Sequence, residues 1–339
     1  MTLGLFEKRI EGDDALMELA RLRFQQANMG AEMHAATAEQ FEAVLRFRPS
    51  VQSPVVVHLP RHFNLSNEEN RKQIAEFASR FAGRIYGMVI HDHPDLVSRS
   101  NDFVRGAQEM QSRFAQIRAC PMLFVEYAAG LEPRMFVRFF ESIHELTHIS
   151  SCVDVGHVGI KQAKNAYASM QGGQDVCALR NEPARIPQVI SDVETAVGAA
   201  LPTVQDLIEA LGKIGKAVHF HLHDGHPLST FSPFGVSDHL SFLIEMPLDF
   251  EYRGRRSVPL MFGRAGLHQI VKKAVQAIGR ERVSFTLEIH PISGRLPLGD
   301  ASPLFNHWTD KTNAEWMNQW LSVLRENHAA LLEGLNVKA

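Results

Sequence analysis

The chain is predicted to be an α/β protein, a (β/α)8 TIM barrel built as a single domain over residues 1–339. Three observations predict it. Strand-like and helix-like segments alternate from one end to the other, which calls for a parallel sheet. The strand-like segments number eight, the number that closes a barrel. Six of those runs end in an imidazole or a carboxylate: Val55-Val56-Val57-His58, Met88-Val89-Ile90-His91, Leu123-Phe124-Val125-Glu126, Cys152-Val153-Asp154, Val218-His219-Phe220-His221 and Phe285-Thr286-Leu287-Glu288. Strand C-termini of such a barrel converge on one mouth, where active sites sit.

Each element has a local reason. Leu3 to Phe6 reads as the first strand. Asp14 to Asn28 reads as a helix, with apolar residues at helical spacing and Gly30 just beyond. Ala31 to His34 is the second strand and Ala38 to Phe47 the second helix. Pro54 to Leu59 is the third strand, followed by a helix opened by a capping box of Ser66 and Glu69. The fourth strand ends at His91, with a helix from about Asn101. The fifth ends at Glu126, and Pro133 suits the first turn of the next helix. Strands follow at Ile149 to Val155, Ala217 to His223 and Val283 to Ile289. A last helix runs from about Thr312, where Thr312 and Glu315 form a second capping box. Residues 160–200 and 225–262 exceed a minimal connection and are read as long loops on the active-site face, where lids and substrate walls form. No Gly-x-Gly-x-x-Gly follows the first strand, which argues against a dinucleotide-binding open sheet.

Composition bounds the function. Hydrophobic residues make up 45% and charged residues 22%, values of an ordinary globular protein with ample core. The net charge of −3 argues against a general polyanion binder, so nucleic acid is not the expected partner. Cys120, Cys152 and Cys177 form no close pair and read as reduced, buried thiols of a cytoplasmic protein. No signal peptide and no membrane span is read from the sequence. Histidine is the anomaly, with 17 residues, many of them at strand ends. Period-two alternation puts His219, His221 and His223 on one face, with Phe124 beside Glu126, Cys152 beside Asp154 and Thr286 beside Glu288. An inward carboxylate in an apolar barrel must be paired or coordinated, and imidazoles with carboxylates suit Zn, Mn or Fe. No Gly-x-Ser-x-Gly marks a serine nucleophile.

These residues resemble the xylose isomerase-like and endonuclease IV-like TIM barrels. His58-Leu59-Pro60 with Asn64-Leu65 is similar to an early strand-end His-x-Pro-Tyr-Leu-x-Asn-Leu segment, and His91 or His93-Pro94 to the next strand-end histidine. Glu126-Tyr127-Ala128-Ala129-Gly130 resembles Glu-Asn-x-Ala-Gly, and Cys152 to His157 resembles Cys-x-Asp-x-x-His. His221-Leu222-His223-Asp224 is similar to His-x-Asn-Asp, Asp238-His239 to Asp-x-His, and Leu287-Glu288 to the last strand's Leu-Glu. The resemblance implies metal ligands at His58, His91, Glu126, Asp154, His157, His221, Asp238, His239 and Glu288, enough for a di- or trinuclear site acting through metal-activated water. Glu126, Asp154, His221 and Glu288 alone are the mononuclear set of the sugar isomerase and epimerase branch. There Glu126 and Glu288 are the acid/base pair, and the remaining histidines bind substrate. His93, His223, His226 and Arg61 are further substrate-binding candidates.

The departures matter. Arg61-His62 stands where the DNA-cleaving relatives carry Tyr-Leu, and Asp238 and His239 are adjacent instead of separated by one residue. Neither His91 nor His93 is singled out by parity. The expectation is a metal-dependent enzyme with one to three divalent ions per chain. It acts on a small sugar-like or phosphorylated molecule by hydrolysis or lyase cleavage. The alternatives are a sugar (phosphate) isomerase or epimerase, an abasic-site phosphodiesterase, and a non-catalytic binding module.

Overall fold

A computed structural model describes residues 2–7, 30–34, 37–45, 55–228, 239–289 and 314–336. Its described residues group into two compact units. The first takes in Met1–Asp154, Leu207–His221 and Gln276–Thr286, and the second Val155–Asp206, Leu222–Val275 and Leu287–Ala339.

The first unit carries the barrel. Its strands are β1 (Thr2–Glu7), β2 (Ala31–His34), β3 (Val55–His58), β4 (Gly87–His91), β5 (Met122–Glu126), β6 (Ile149–Asp154), β7 (Val218–Leu222) and β10 (Val283–Leu287). They close in the order β1-β10-β7-β6-β5-β4-β3-β2, and the pairs from β1–β2 through β6–β7 are parallel. Such a closed sheet, with described helices in the connections from β2 onward, is the α/β TIM barrel that the alternation predicts. The helices of this unit include α1 (Ala38–Leu45), α2 (Glu68–Arg80), α3 (Ser100–Phe114) and α4 (Pro133–Ser142). Pro133 opens α4 as expected.

Register decides which side chains meet. His91 lies opposite Glu126, Glu126 opposite Cys152, and Asp154 opposite His221. Two residues earlier on the same faces, Val56, Val89, Phe124 and Cys152 form a buried apolar layer. Thus the strand-end imidazoles and acids stand one pleat above a dry plug of side chains.

The second unit holds α5 (Val155–Met170), α6 (Ile186–Val197), the first half of α7 (Ala200–Ile214) and most of α8 (Gly263–Ile278), together with α9 (Ala314–Asn336). Helix α5 begins at the residue after Asp154 with no intervening loop. The 225–262 stretch contains a two-stranded antiparallel hairpin that sequence reading takes as loop, β8 (Met246–Tyr252) with β9 (Arg255–Val258). Its turn is Arg253-Gly254, both with positive φ (51° and 75°), the geometry of a tight hairpin turn. Arg253 bonds Glu194 at 2.8 Å and Tyr252 donates to the same carboxylate at 2.7 Å.

Two local expectations change. Helix α2 is capped by Asn67, whose side chain accepts from the Asn70 N–H at 3.0 Å. Ser66 does not cap it, because Asn64 Oδ1 takes both the Ser66 N–H and hydroxyl and postpones the helix by one residue. All three cysteines are free, but only Cys152 is buried; Cys120 and Cys177 are half-buried. The helix expected at 14–28, the Thr312 cap and Asp238 lie outside the described residues. No described helix is long and apolar enough to cross a membrane.

Candidate metal centre

Glu126, the last residue of β5, is the hub of the barrel unit. Its Oε2 lies 2.8 Å from His58 Nε2 and 3.4 Å from His91 Nε2, while Oε1 lies 3.5 Å from His221 Nδ1. Ligand atoms of His58, His91 and Glu126 fall within 4.8 Å of one another, and so do those of Glu126, Asp154 and His221. One carboxylate therefore faces two donor sets, one with each oxygen. Glu126 is 2% exposed and Asp154 and His221 are fully buried.

Proton bookkeeping tests whether these residues fit a cation. The Leu59 carbonyl 3.0 Å from His58 Nδ1 can only accept, so Nδ1 carries a hydrogen. A neutral His58 then turns the Nε2 lone pair toward a carboxylate oxygen. His221 has the same problem: Nε2 donates to Glu32 Oε1 at 2.9 Å, and Nδ1 faces Glu126. The His58 ring is satisfied only as an imidazolium or by a cation beside the carboxylate; at His221 the Cys152 side chain is a further hydrogen-bond partner. Separations of 2.8, 3.4 and 3.5 Å bracket the ~3–3.5 Å between neighbouring ligands of an ion with bonds of about 2.0–2.1 Å. The donor set fits a first-row transition metal.

Electrostatics point the same way. Burial opposes ionisation of Glu126, but the His91 and His221 charges and the bonds from His221 and His58 hold its carboxyl well below the usual range. Burial likewise opposes a charge on His58, yet its bond to Glu126 raises its pKa above the ordinary value. Glu32, Glu126 and Asp154 are among the carboxylates buried in this unit, and buried carboxylates require compensating positive charge or hydrogen bonds.

Glu32 and Asp92 are residues that sequence reading missed. Glu32, fully buried in β2, accepts from His219 Nε2 at 3.0 Å, His221 Nε2 at 2.9 Å and the Thr286 hydroxyl at 2.6 Å. An acid inside a four-residue strand was the available signal. Asp92 accepts the Ala128 and Ala129 N–H groups at 2.9 and 2.5 Å, tying down the chain that leaves Glu126. Burial pushes its carboxyl up to about 7 against those two bonds, with the Glu126 charge adding to the rise.

In the second unit, ligand atoms of His157, His223 and His239 lie within 4.8 Å of one another, and His239 Nε2 is 3.4 Å from Glu288 Oε1. His223 Nδ1 donates to the Asp224 carbonyl at 2.8 Å, leaving Nε2 as its acceptor side. Close approach is possible because residue 156 is glycine: a Cβ there would lie 1.9 Å from His223 Cε1. Asp224 anchors the surrounding loop, bonding the Gly225 and Gly263 N–H groups at 2.7 Å and exchanging backbone bonds with Leu240. His226 is buried and accepts from the Leu228 N–H at 3.2 Å.

The other candidates separate. His91 joins the Glu126 cluster, whereas His93 turns outward and accepts from the Asp95 N–H at 3.1 Å, capping the short helix Pro94–Leu96. Arg61 is exposed on the turn after β3. His223 groups with His157 and His239.

Fold and site together define a TIM barrel with clustered imidazoles and carboxylates at its strand ends. Among solved structures, the chain is similar to a xylose isomerase domain protein from Planctomyces limnophilus, at 11% identity and a TM-score of 0.49 over 98% of each chain. It is also similar to the 3-keto-D-glucoside 4-epimerase of E. coli, at 11% identity and a TM-score of 0.40, covering 94% of this chain and 99% of that one. A third is the carboxyl transferase domain of Rhizobium etli pyruvate carboxylase, at 11% identity and a TM-score of 0.43, covering 98% of this chain and 48% of that one. No protein-family model and no curated protein sequence matches the chain.

Proposed function

We propose that the protein is a metal-dependent enzyme with a di- or trinuclear centre at the strand C-terminal face, cleaving a small sugar-like or phosphorylated substrate by hydrolysis or lyase chemistry. The observation that carries this reading is Glu126, whose two oxygens face separate donor sets, His58 with His91 and Asp154 with His221. A carboxylate so placed is suited to bridge two ions. His157 and His239, with Asp238 and Glu288, supply the further ligands. Zn, Mn or Fe, when bound, supplies a water acidic enough to attack at neutral pH and a Lewis acid for a phosphoryl or carbonyl oxygen. The chain's own residues place the charge. Glu126 and Asp154 would balance the cations, His58 and His221 bond the Leu59 carbonyl and Glu32, and Glu288, 3.4 Å from His239, is the candidate to accept or return a proton. Arg61, His93, His223 and His226 are the candidates for holding substrate.

A second reading, a mononuclear sugar (phosphate) isomerase or epimerase using Glu126, Asp154, His221 and Glu288, is favoured by one observation. His58 already bonds Glu126 and has a raised pKa, as a proton-carrying substrate-binding histidine would. Elemental analysis of purified protein, joined to assays of the metal-loaded enzyme on sugar phosphates, keto-sugars and abasic-site DNA, separates the readings. Two or more metals per chain with phosphate release or cleavage are expected. One metal with isomerisation supports the second reading, efficient nicking supports an abasic-site phosphodiesterase, and no bound metal supports a binding module.

A further inference from the structure

Beneath the strand-end cluster lies a second polar layer, buried within the barrel unit. It comprises Glu32 on β2, His219 on β7, and Ser284 and Thr286 on β10, all at most 1% exposed. The bonds are directional. The Thr286 hydroxyl and two imidazole Nε2 atoms converge on the Glu32 carboxylate, Oε1 serving His221 and Oε2 serving His219 and Thr286. His219 Nδ1 lies 2.7 Å from the Ser284 hydroxyl, which donates to it because Nε2 carries the proton.

We propose that Glu32 is a positioning residue: it commits His221 to the Nε2–H tautomer and so aims the Nδ1 lone pair at the metal beside Glu126 and Asp154. The inference rests on the metal-centre reading above. A ligating imidazole whose other N–H is held by a carboxylate keeps a fixed ring orientation and gains basicity at the ligating nitrogen. Glu32 itself falls in none of the ligand groups among the described residues. His219 is the structural twin of His221, held by the same carboxylate but closed off at Nδ1 by Ser284. This explains why two histidines on one face of β7 have different fates.

The test uses Glu32→Gln, which keeps the shape of the side chain. Its amide presents N–H toward one imidazole and reverses that donor. His221 then tends to carry its proton on Nδ1, which must leave before a metal binds. Two measurements are made on the full-length protein. Long-range 1H–15N NMR of the zinc-loaded wild type is expected to show the His221 proton on Nε2, and E32Q is expected to move or lose it. Zinc affinity, measured by competition with a chromophoric chelator, is expected to fall 10–100-fold in E32Q. In Glu32→Asp it should fall less, and adding E32Q to His221→Ala should cost nothing more. Wild-type zinc binding with E32Q affinity unchanged overturns the role of Glu32 while leaving the metal centre standing. A wild-type protein that binds no zinc overturns the metal-centre reading itself. A zinc-loaded wild type in which His221 carries its proton on Nδ1 and none on Nε2 overturns the proposal whatever the affinity of E32Q.

Discussion

Removing the imidazole of His226 is expected to flatten the acid limb of the stability curve. His226 is 1% exposed, and burial pushes its pKa down from 6.5 to about 4. Between those values the unfolded chain binds a proton that the folded chain refuses, so stability falls as the pH drops from 6.5 to about 4 and levels below it. The shift is about 2.5 units, and at 1.36 kcal/mol per unit it amounts to about 3 kcal/mol lost between neutral and acid pH. His226→Asn retains an acceptor for the Leu228 N–H, the bond the ring makes at Nδ1, and has nothing to titrate. Urea denaturation of both proteins at pH 7, 5.5 and 4 isolates the contribution as the pH dependence of their difference, since other buried groups titrate alike in both. A difference that narrows by about 3 kcal/mol from pH 7 to pH 4 is expected. Parallel curves would refute the account and require that the folded protein protonate His226 in place.

Three further outcomes follow from the same geometry. Asp154→Ala should abolish tight metal binding, because Asp154 balances charge beside His221 in a fully buried set; zinc competition checks it, and near-native affinity would remove Asp154 from the centre. Gly156→Ala should displace the His223 ring, which would sit 1.9 Å from the new Cβ, and cost roughly 1–3 kcal/mol from overpacking; a melt unchanged from wild type would count against the contact. Lys216→Met should cost about 2 kcal/mol, since the ammonium donates to the Ile143, His144 and Leu146 carbonyls just past α4 and charged hydrogen bonds are worth roughly that; denaturation midpoints measure it.

The parts of the fold legible in the sequence were those with a strict period. β2, β4 and β5 fall where alternation and apolar runs put them, and His58, Glu126, Asp154 and His221 end or nearly end their strands as the runs imply. What escaped depends on contacts between distant segments. The β8–β9 hairpin escaped because Pro247 and a turn of Arg253-Gly254 disguise its strands, and its tip is held by Glu194 from α6. His91 and His93 share parity, and only the capping bond to Asp95 separates their roles. Glu32 escaped for a similar reason. Its partners are 187, 189 and 254 residues away, so no local pattern marks it as anything other than an acid in a short strand.

Among the described residues, the layer below the strand ends is apolar on one side of the barrel and polar on the other. On β3, β4, β5 and β6 the layer below the strand ends is Val56, Val89, Phe124 and Cys152, while around β2, β7 and β10 it is Glu32, His219, Ser284 and Thr286. Burying a carboxylate and an imidazole there costs several kcal/mol unless every donor and acceptor is met. They are met by one another, and a hydrophobic filling of equal volume would serve stability as well or better. Retention of a polar layer at that cost makes sense if the layer acts on what lies above it. The apolar side supports His58, His91 and Glu126 by packing alone, with His58 oriented through the Leu59 carbonyl. The polar side instead orients His221 from beneath. The ring with a carboxylate behind it is also the one that faces Glu126 through its other nitrogen, and it is the position where a change of tautomer would be felt first.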